Sequence, residues 1–176
     1  MEELIAKRYV KALIESCDER ELEEIEAYLM ALAKLFKDWK IKEILLSPEV
    51  SKEEKLKLLL EPLQGANKKL LNLIKLLAEK GRLGIVPAMA RELKDQLALM
   101  KKHFEGRVYS EFELSKDELS KIEEALAKRL DAKVELSQAK EPYDGIKVEV
   151  DTVGVEIEFS KSKIKKQLIE NILKAI

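Results

Sequence analysis

The segment "LLNLIKLLAEKGRL", residues 70–83, decides the fold class because it has the pattern of a helix followed by a stop. At about 100° per residue its apolar side chains cover an arc of roughly 220°, whereas a surface helix needs little more than 100°. Gly81 follows as the expected C′ residue. This extra apolar surface indicates either a helix that is buried on two sides or one that binds a helix of another chain, and the sequence leaves both possibilities open.

Five further helices are predicted before residue 106, because apolar residues recur there at spacings of three and four. With the quoted segment as the fifth of six, their expected ranges are 2–17, 19–37, 39–46, 51–62 and 83–104. Ser51 and Glu54 have the spacing of a capping box at the start of the fourth helix. Six helices with short connections predict an antiparallel bundle.

After Gly106 the apolar period changes from 3.6 to 2. In "RVYSEFEL", residues 107–114, the alternation predicts a strand whose buried side carries Val108, Ser110, Phe112 and Leu114. The following pattern predicts a helix from Ser115 to Leu130, a strand at 133–136, a hairpin around 151–154 and a final amphipathic helix from residue 160. The sequence therefore predicts an all-α six-helix bundle, residues 1–105, and a small α+β domain, residues 106–176, ordered strand–helix–strand–hairpin–helix.

Composition excludes several classes of protein. The 33 Lys and Arg residues nearly balance 34 Asp and Glu residues, which argues against a nucleic-acid-binding protein. Cys17 is the one cysteine, so no intramolecular disulfide forms and a reducing compartment is indicated. No apolar run approaches the roughly 18 residues of a membrane span, and the N-terminus lacks the apolar region of a signal peptide. We expect a soluble protein that does not insert into a membrane.

No catalytic, cofactor-binding or metal-binding pattern is present in the sequence. His103 is interpreted as a residue on the surface of the sixth helix rather than a general base. One cysteine and one histidine are too few for a zinc site, and no glycine-rich phosphate loop occurs. Cys17 is interpreted as a small buried apolar residue, and Trp39 is expected to pack or half-pack at the start of the third helix.

The first helix has the same apolar surplus as the fifth. Its apolar arc is roughly 200° at 100° per residue. The arc consists of Ile5, Ala6, Tyr9, Val10, Ala12, Leu13, Ile14 and Cys17. Two helices with surplus apolar surface suggest either two central helices or the two walls of one groove.

Four segments resemble, in the same order, the δ subunit of bacterial F-type ATP synthases, whose mitochondrial counterpart is the oligomycin-sensitivity-conferring protein. They are "AKRYVKAL" (6–13), "LLSPEVSKEEKLKLL" (45–59), "NLIKLLAEKGRLGIVP" (72–87) and "RVYSEFELS" (107–115). The third is the most specific. The chain departs from the family near its C-terminal end, where Asp144-Gly145 and Glu158-Phe159-Ser160 replace the usual Gly-Gly and Asp-x-Ser.

The resemblance implies a non-catalytic stator subunit, which links the catalytic hexamer to the b subunits of the peripheral stalk and resists rotor torque during proton-driven ATP synthesis. The bundle would bind the hexamer through a groove between helices 1 and 5 that takes the N-terminal helix of an α subunit. The expected lining of that groove is Ala6, Tyr9, Leu13, Leu73 and Leu76. The C-terminal domain would face the C-terminal region of the b subunits.

The resemblance also implies a location at the cytoplasmic face of the bacterial inner membrane, peripheral through the complex, and a monomer when the chain is isolated. Two other functions remain open at this point. One is an unrelated helical adaptor that binds a different amphipathic helix. The other is an enzyme whose site is assembled only in three dimensions, which would require a convergent pocket with perturbed titratable groups.

Overall fold

A computed structural model describes residues 2–63, 65–165 and 169. Contacts between Cα atoms divide the chain into two compact units, Met1–Leu97 and Ala98–Ile176. The first unit is helical, and the second contains all four strands of the described chain.

Six α-helices begin in the first unit. They are α1 (Glu2–Ser16), α2 (Glu19–Leu35), α3 (Trp39–Leu46), α4 (Lys52–Leu60), α5 (Lys68–Glu79) and α6 (Val86–Lys101). The capping box predicted for α4 is present: Glu54 N donates to Ser51 Oγ at 3.2 Å, and Ser51 N donates to Glu54 Oε2 at 3.1 Å. This capping box satisfies two backbone N–H groups that the first helical turn leaves unpaired, and it thereby fixes where the helix begins.

All six helices contribute to one apolar core. Its fully buried large side chains include Leu22, Ile25, Leu29, Leu32, Leu45, Leu59, Leu70, Ile74, Leu77, Met89 and Leu93. Aliphatic residues at these spacings give each helix one inward stripe, and removing those stripes from water is the main stabilising contribution to the unit.

The second unit is a four-stranded mixed sheet with a helix. Its elements are β1 (His103–Ser110), α7 (Lys116–Leu130), β2 (Lys133–Gln138), β3 (Gly145–Val150) and β4 (Val155–Ser160). The strand order is β2-β1-β3-β4, with β1 parallel to β2 and both other pairings antiparallel. Leu126 of α7 packs in one buried cluster with Phe104, Val108, Val134 and Val148.

The change from helix to strand occurs earlier than predicted. Helix α6 ends at Lys101 and β1 begins at His103. The predicted helix end at residue 104 and the predicted domain boundary at 105/106 therefore both lie within β1. Gly106 occupies an inward position of this strand, where a Cβ atom would lie 2.7 Å from Leu136 Cδ2 and 2.8 Å from Glu149 O. Because that inward position has no side chain, the alternation that marks the strand is hidden in the sequence.

Three single-residue predictions differ from the structure. Phe112, expected on the buried face of a strand, lies beyond β1 and is exposed, because the chain turns there and the Phe112 carbonyl accepts a hydrogen bond from Gln138 Nε2 at 2.7 Å. Trp39, expected to pack or half-pack, is 68% exposed at the first position of α3. Cys17, expected to be buried, lies just after α1 and is half-buried.

The hairpin around residues 151–154 and the helix from Ser115 to Leu130 are confirmed. The predicted final helix begins within the described chain, where residues 161–165 are helical. Of its predicted apolar side, Ile164 and Ile169 are exposed, and Leu168, Ile172 and Leu173 lie outside the described residues.

Candidate functional site

Helices α1 and α5 lie alongside each other in opposite directions. Near the start of α5, Lys69 Nζ donates to the carbonyl of Ser16 at the end of α1, at 2.8 Å. Just beyond the end of α5, an Arg82 guanidinium N–H donates to the Tyr9 hydroxyl in the middle of α1, at 3.2 Å. The start of α5 therefore contacts the end of α1, and the residue after α5 contacts the middle of α1. The two helices are antiparallel.

The C-terminal end of α5 positions Arg82 for this contact. Gly81 has φ +65°, and its N–H donates to the Ala78 carbonyl at 3.1 Å, while the Arg82 N–H donates to the Leu77 carbonyl at 2.7 Å. This pair of bonds is the Schellman motif, which favours glycine at the left-handed position. The predicted C′ role of Gly81 is therefore confirmed, and the motif turns the chain so that Arg82 lies beside α1.

A polar network fixes the other end of α5. Lys69 Nζ also donates to Glu21 Oε2 at 2.6 Å, and Asn67 Nδ2 donates to Glu21 Oε1 at 3.2 Å. The hydrogen bond from Lys69 is the main reason that the pKa of the Glu21 carboxyl falls from 4.5 to about 2. The same bond raises the pKa of the Lys69 ammonium group. Helices α1, α2 and α5 are thus joined at one corner of the unit.

The five side chains predicted to line a groove divide into two groups. Ala6, Leu13 and Leu73 belong to the apolar core of the unit, with exposures of 1%, 6% and 8%. Tyr9 is half-buried, and Leu76 is 40% exposed. The structure therefore brings both helices together but leaves only the second group open to a further chain.

The predicted groove lining left out Ile5 and Ala12, although both belong to the apolar arc that the sequence predicts for α1. At about 100° per residue, Ile5, Tyr9 and Ala12 share one side of α1, next to its core stripe. This is the side that Arg82 contacts through Tyr9. Leu76 lies on the corresponding side of α5, together with Lys69, which contacts α1. These residues lie beside the buried apolar stripe of each helix. Their position next to that stripe, rather than within it, is the feature of the sequence that indicates them.

The surface between α1 and α5 is suited to binding an apolar helix rather than to chemistry. Its central side chains are Tyr9 and Leu76, which supply apolar surface area and one hydroxyl group. In the described ranges, no group of three or more His, Cys, Asp and Glu side chains is placed to hold a metal ion. His103 lies at the start of β1, where Nε2 is 3.2 Å from Glu135 Oε1, and not in α6 as predicted.

The second unit has its own exposed apolar side chains near its C-terminal end. Phe159 on the edge strand β4 is 63% exposed, and Ile164 follows it on the surface. The departure at Asp144 has a structural role here, because its carboxylate accepts hydrogen bonds from Ser160 Oγ at 3.2 Å and from the Ser162 N–H at 3.0 Å. Asp144 thereby supports the first turn after β4. A hydrogen bond from the Ser162 hydroxyl is the main cause that lowers the pKa of the Asp144 carboxyl group, followed by the bond from the Ser162 N–H.

A helical unit with an open apolar surface between two antiparallel helices, followed by a small mixed-sheet unit, defines a protein-binding scaffold. Comparison with known proteins narrows this class. Residues 5–168 match the family described as the ATP synthase delta (OSCP) subunit. The chain is 66% identical to an ATP synthase subunit delta from Nitratiruptor sp. and 45% identical to one from Aliarcobacter butzleri, each over the full length of both chains.

The chain belongs to the ATP synthase delta (OSCP) subunit family. The predicted resemblance is thereby confirmed. A chain of the Toxoplasma gondii mitochondrial ATP synthase hexamer, solved by cryo-EM, has a similar fold, with a TM-score of 0.63 and 21% identity. The similarity covers 96% of this chain and 97% of that chain. No helix in the described ranges is both long enough and apolar enough to cross a membrane.

Proposed function

We propose that α1–α6 form a six-helix bundle that attaches to the catalytic hexamer by taking the N-terminal helix of an ATP synthase α subunit between α1 and α5. As a delta (OSCP) subunit, the chain is a non-catalytic component of the peripheral stalk. Family membership favours this assignment over an unrelated adaptor and over an enzyme assembled in three dimensions.

The observation that carries the proposal is the exposure of Leu76, which at about 100° per residue shares one side of α5 with Lys69, the residue that contacts α1. Leu73, one turn earlier on the same side, is 8% exposed, whereas Leu76 is 40% exposed. An amphipathic helix lying between α1 and α5 would cover Leu76 and the open side of Tyr9, and Ala12 would allow close approach. Burial of such an apolar patch is the usual driving force for association.

The hydrogen bonds at the ends of α5 suit a stator. Arg82 with Tyr9 at one end, and Lys69 with Ser16 and Glu21 at the other, hold the two walls of the groove at a fixed separation. A groove that is already formed binds its partner with a smaller loss of conformational entropy. A docked helix between braced walls transmits load to the rest of the bundle, which is what resistance to rotor torque requires.

We further propose that the second unit, residues 98–176, contacts the C-terminal region of the b subunits, with Phe159 and Ile164 as exposed apolar residues for that contact. The complex would then hold the chain peripherally at the cytoplasmic face of the bacterial inner membrane. The isolated chain is proposed to be a monomer that assembles by contacts with these two partners.

Hydrogen exchange of the full chain, with and without a synthetic peptide of the α-subunit N-terminus, tests the proposal. Protection is expected in α1 and α5 and in no other helix, because the peptide lies between those two. A scrambled peptide of the same composition is the control. Binding without protection of α5, or equal protection by the scrambled peptide, would contradict the assignment.

A further inference from the structure

A second cleft lies in the first unit, away from the surface between α1 and α5. It has a volume of about 670 Å³ and is formed mainly by α2, α3 and α6. The floor is apolar, with Met30, Ala33 and Phe36 on one side and Leu46 and Pro87 on the other. Leu46 is 48% exposed, although it sits in an otherwise well-packed unit.

The rim of this cleft is basic. Lys34, Lys37, Lys42 and Arg91 line it, against the single carboxylate of Glu2. None of these four cations forms a salt bridge with any residue in the described ranges, whereas Lys69 in the same unit is paired with Glu21 at 2.6 Å. The chain as a whole has a net charge of −1, whereas four cations and one carboxylate line this cleft. Lys34, Lys37 and Lys42 form its basic side, since Arg91 also borders Glu3, Glu92 and Asp95 in the neighbouring pocket.

Trp39 extends the apolar floor beyond the cleft. At about 100° per residue, Trp39, Lys42 and Leu46 fall within roughly 60° of one another on α3. Trp39 is 68% exposed and is the one tryptophan of the chain. Tryptophan is enriched among the residues that contribute most to binding at protein interfaces. An exposed tryptophan beside an apolar cleft therefore favours a protein-binding surface.

We propose that this basic cleft docks an acidic amphipathic helix of a partner protein. The apolar face of that helix would lie on Met30, Phe36 and Leu46, and its flanking carboxylates would meet the rim cations. Trp39 would cover one edge of the docked helix. The contact is separate from the one proposed between α1 and α5, so the first unit would hold two partner segments at once.

The distribution of charge favours a helix over a small anion. The rim cations come from α2, the turn after it, α3 and α6, and they surround an apolar floor. A small anion would instead need several donors converging on one point, and it would leave the floor and Trp39 uncovered. A ligand with an apolar face and carboxylates along both edges satisfies both parts of the site.

The test uses the full-length protein and an 18-residue probe peptide, with leucine along one helical face and glutamate at the flanking positions. Burial of Trp39 is expected to shift its fluorescence to shorter wavelength, and the shift gives the dissociation constant. The double variant Lys34→Glu/Lys42→Glu should weaken binding by about tenfold or more, because two attractive contacts become repulsive. A probe with lysine in place of glutamate should not bind the unaltered protein.

The matched control is Lys57→Glu/Lys75→Glu, which makes the same change in net charge at two exposed lysines outside the cleft. It should change the affinity by less than about twofold at moderate salt. Equal loss in both double variants, or equal binding of the two probes, would overturn the proposal. So would inorganic pyrophosphate producing the same shift at the same concentration, or self-association of the protein that the cleft variant abolishes.

Leu76→Asp should leave this binding unchanged, since Leu76 lies on α5, which does not line the cleft. Failure of the groove between α1 and α5 and failure of the basic cleft are therefore distinguishable. Loss of probe binding in a correctly folded Leu76→Asp variant would show that the probe occupies the wrong site, and it would contradict the proposal.

Discussion

Glu21 shows how single side chains secure the walls of the proposed groove. Its carboxylate accepts hydrogen bonds from Lys69 and Asn67, both at the start of α5, while its own helix is α2. Neither partner is near Glu21 in sequence. A connection across 48 residues depends on the tertiary fold, so the local pattern around Glu21 does not predict it.

The pH dependence of Glu21→Gln follows from these bonds. The pKa of Glu21 is lowered in the folded chain, from 4.5 to about 2, so ionisation of this group stabilises the fold. The stabilisation is complete above the unfolded pKa and is lost as the pH falls from about 4.5 through 2. Glu21→Gln should therefore lower the free energy of unfolding at neutral pH and have little effect near pH 2. Denaturant titrations at both pH values measure this.

Glu24→Gln is the control for that experiment, because Glu24 is an exposed residue of the same helix. It should leave the free energy of unfolding nearly unchanged at both pH values. A Glu21→Gln effect that persists undiminished near pH 2 would show that charge is not the cause.

At the scale of elements, helices with strong periodic patterns were predictable and strand boundaries were not. α2 and α5 end within two residues of the predicted positions at Lys37 and Gly81, because their apolar stripes and local caps are encoded side by side. The strand β1 depends on pairing with β2, 30 residues further along the chain, and its inward Gly106 hides the alternation. The exposure of Trp39 was equally unpredictable, since a local pattern does not reveal which side of a short helix lacks a neighbour.

Helix α7 offers a test of local encoding. Its capping box is complete: Ser115 Oγ accepts from the Glu118 N–H at 3.3 Å, and the Ser115 N–H donates to Glu118 Oε2 at 2.8 Å. Ser115→Ala should destabilise the second unit by about 1 kcal/mol, the usual effect of losing such a cap. Ser120→Ala, at an exposed position inside the same helix, should change stability by less than about 0.5 kcal/mol. Thermal or chemical denaturation compares them, and equal effects would contradict a role for the cap.

At the scale of the whole molecule, the division after Leu97 predicts which fragments fold. A cut at 105/106 separates His103, Phe104 and Glu105 from β1 and removes three of its six paired positions with β2. It also removes the buried side chain of Phe104 from the core of the second unit. A fragment of residues 98–176 should therefore fold, and a fragment of residues 106–176 should be largely unfolded, as judged by circular dichroism and amide exchange. Equal stability of the two fragments would contradict this division.

Two substitutions on α5 distinguish a binding groove between α1 and α5 from ordinary core packing. Ile74 is fully buried in the first unit, whereas Leu76 is 40% exposed on the side of α5 that carries Lys69. Ile74→Asp should destabilise the free protein by about 3 kcal/mol or more, because it buries an unpaired carboxylate. Leu76→Asp should leave the melting temperature of the free protein nearly unchanged.

Titration of Leu76→Asp with the α-subunit N-terminal peptide distinguishes a binding groove from exposed surface. A loss of about 2 kcal/mol or more in binding free energy, roughly 30-fold in the dissociation constant, is expected with the fold intact. If Leu76→Asp melts as early as Ile74→Asp, the surface is ordinary core. If it binds the peptide as tightly as the unaltered protein, the partner helix does not lie between α1 and α5, and the proposed groove is wrong.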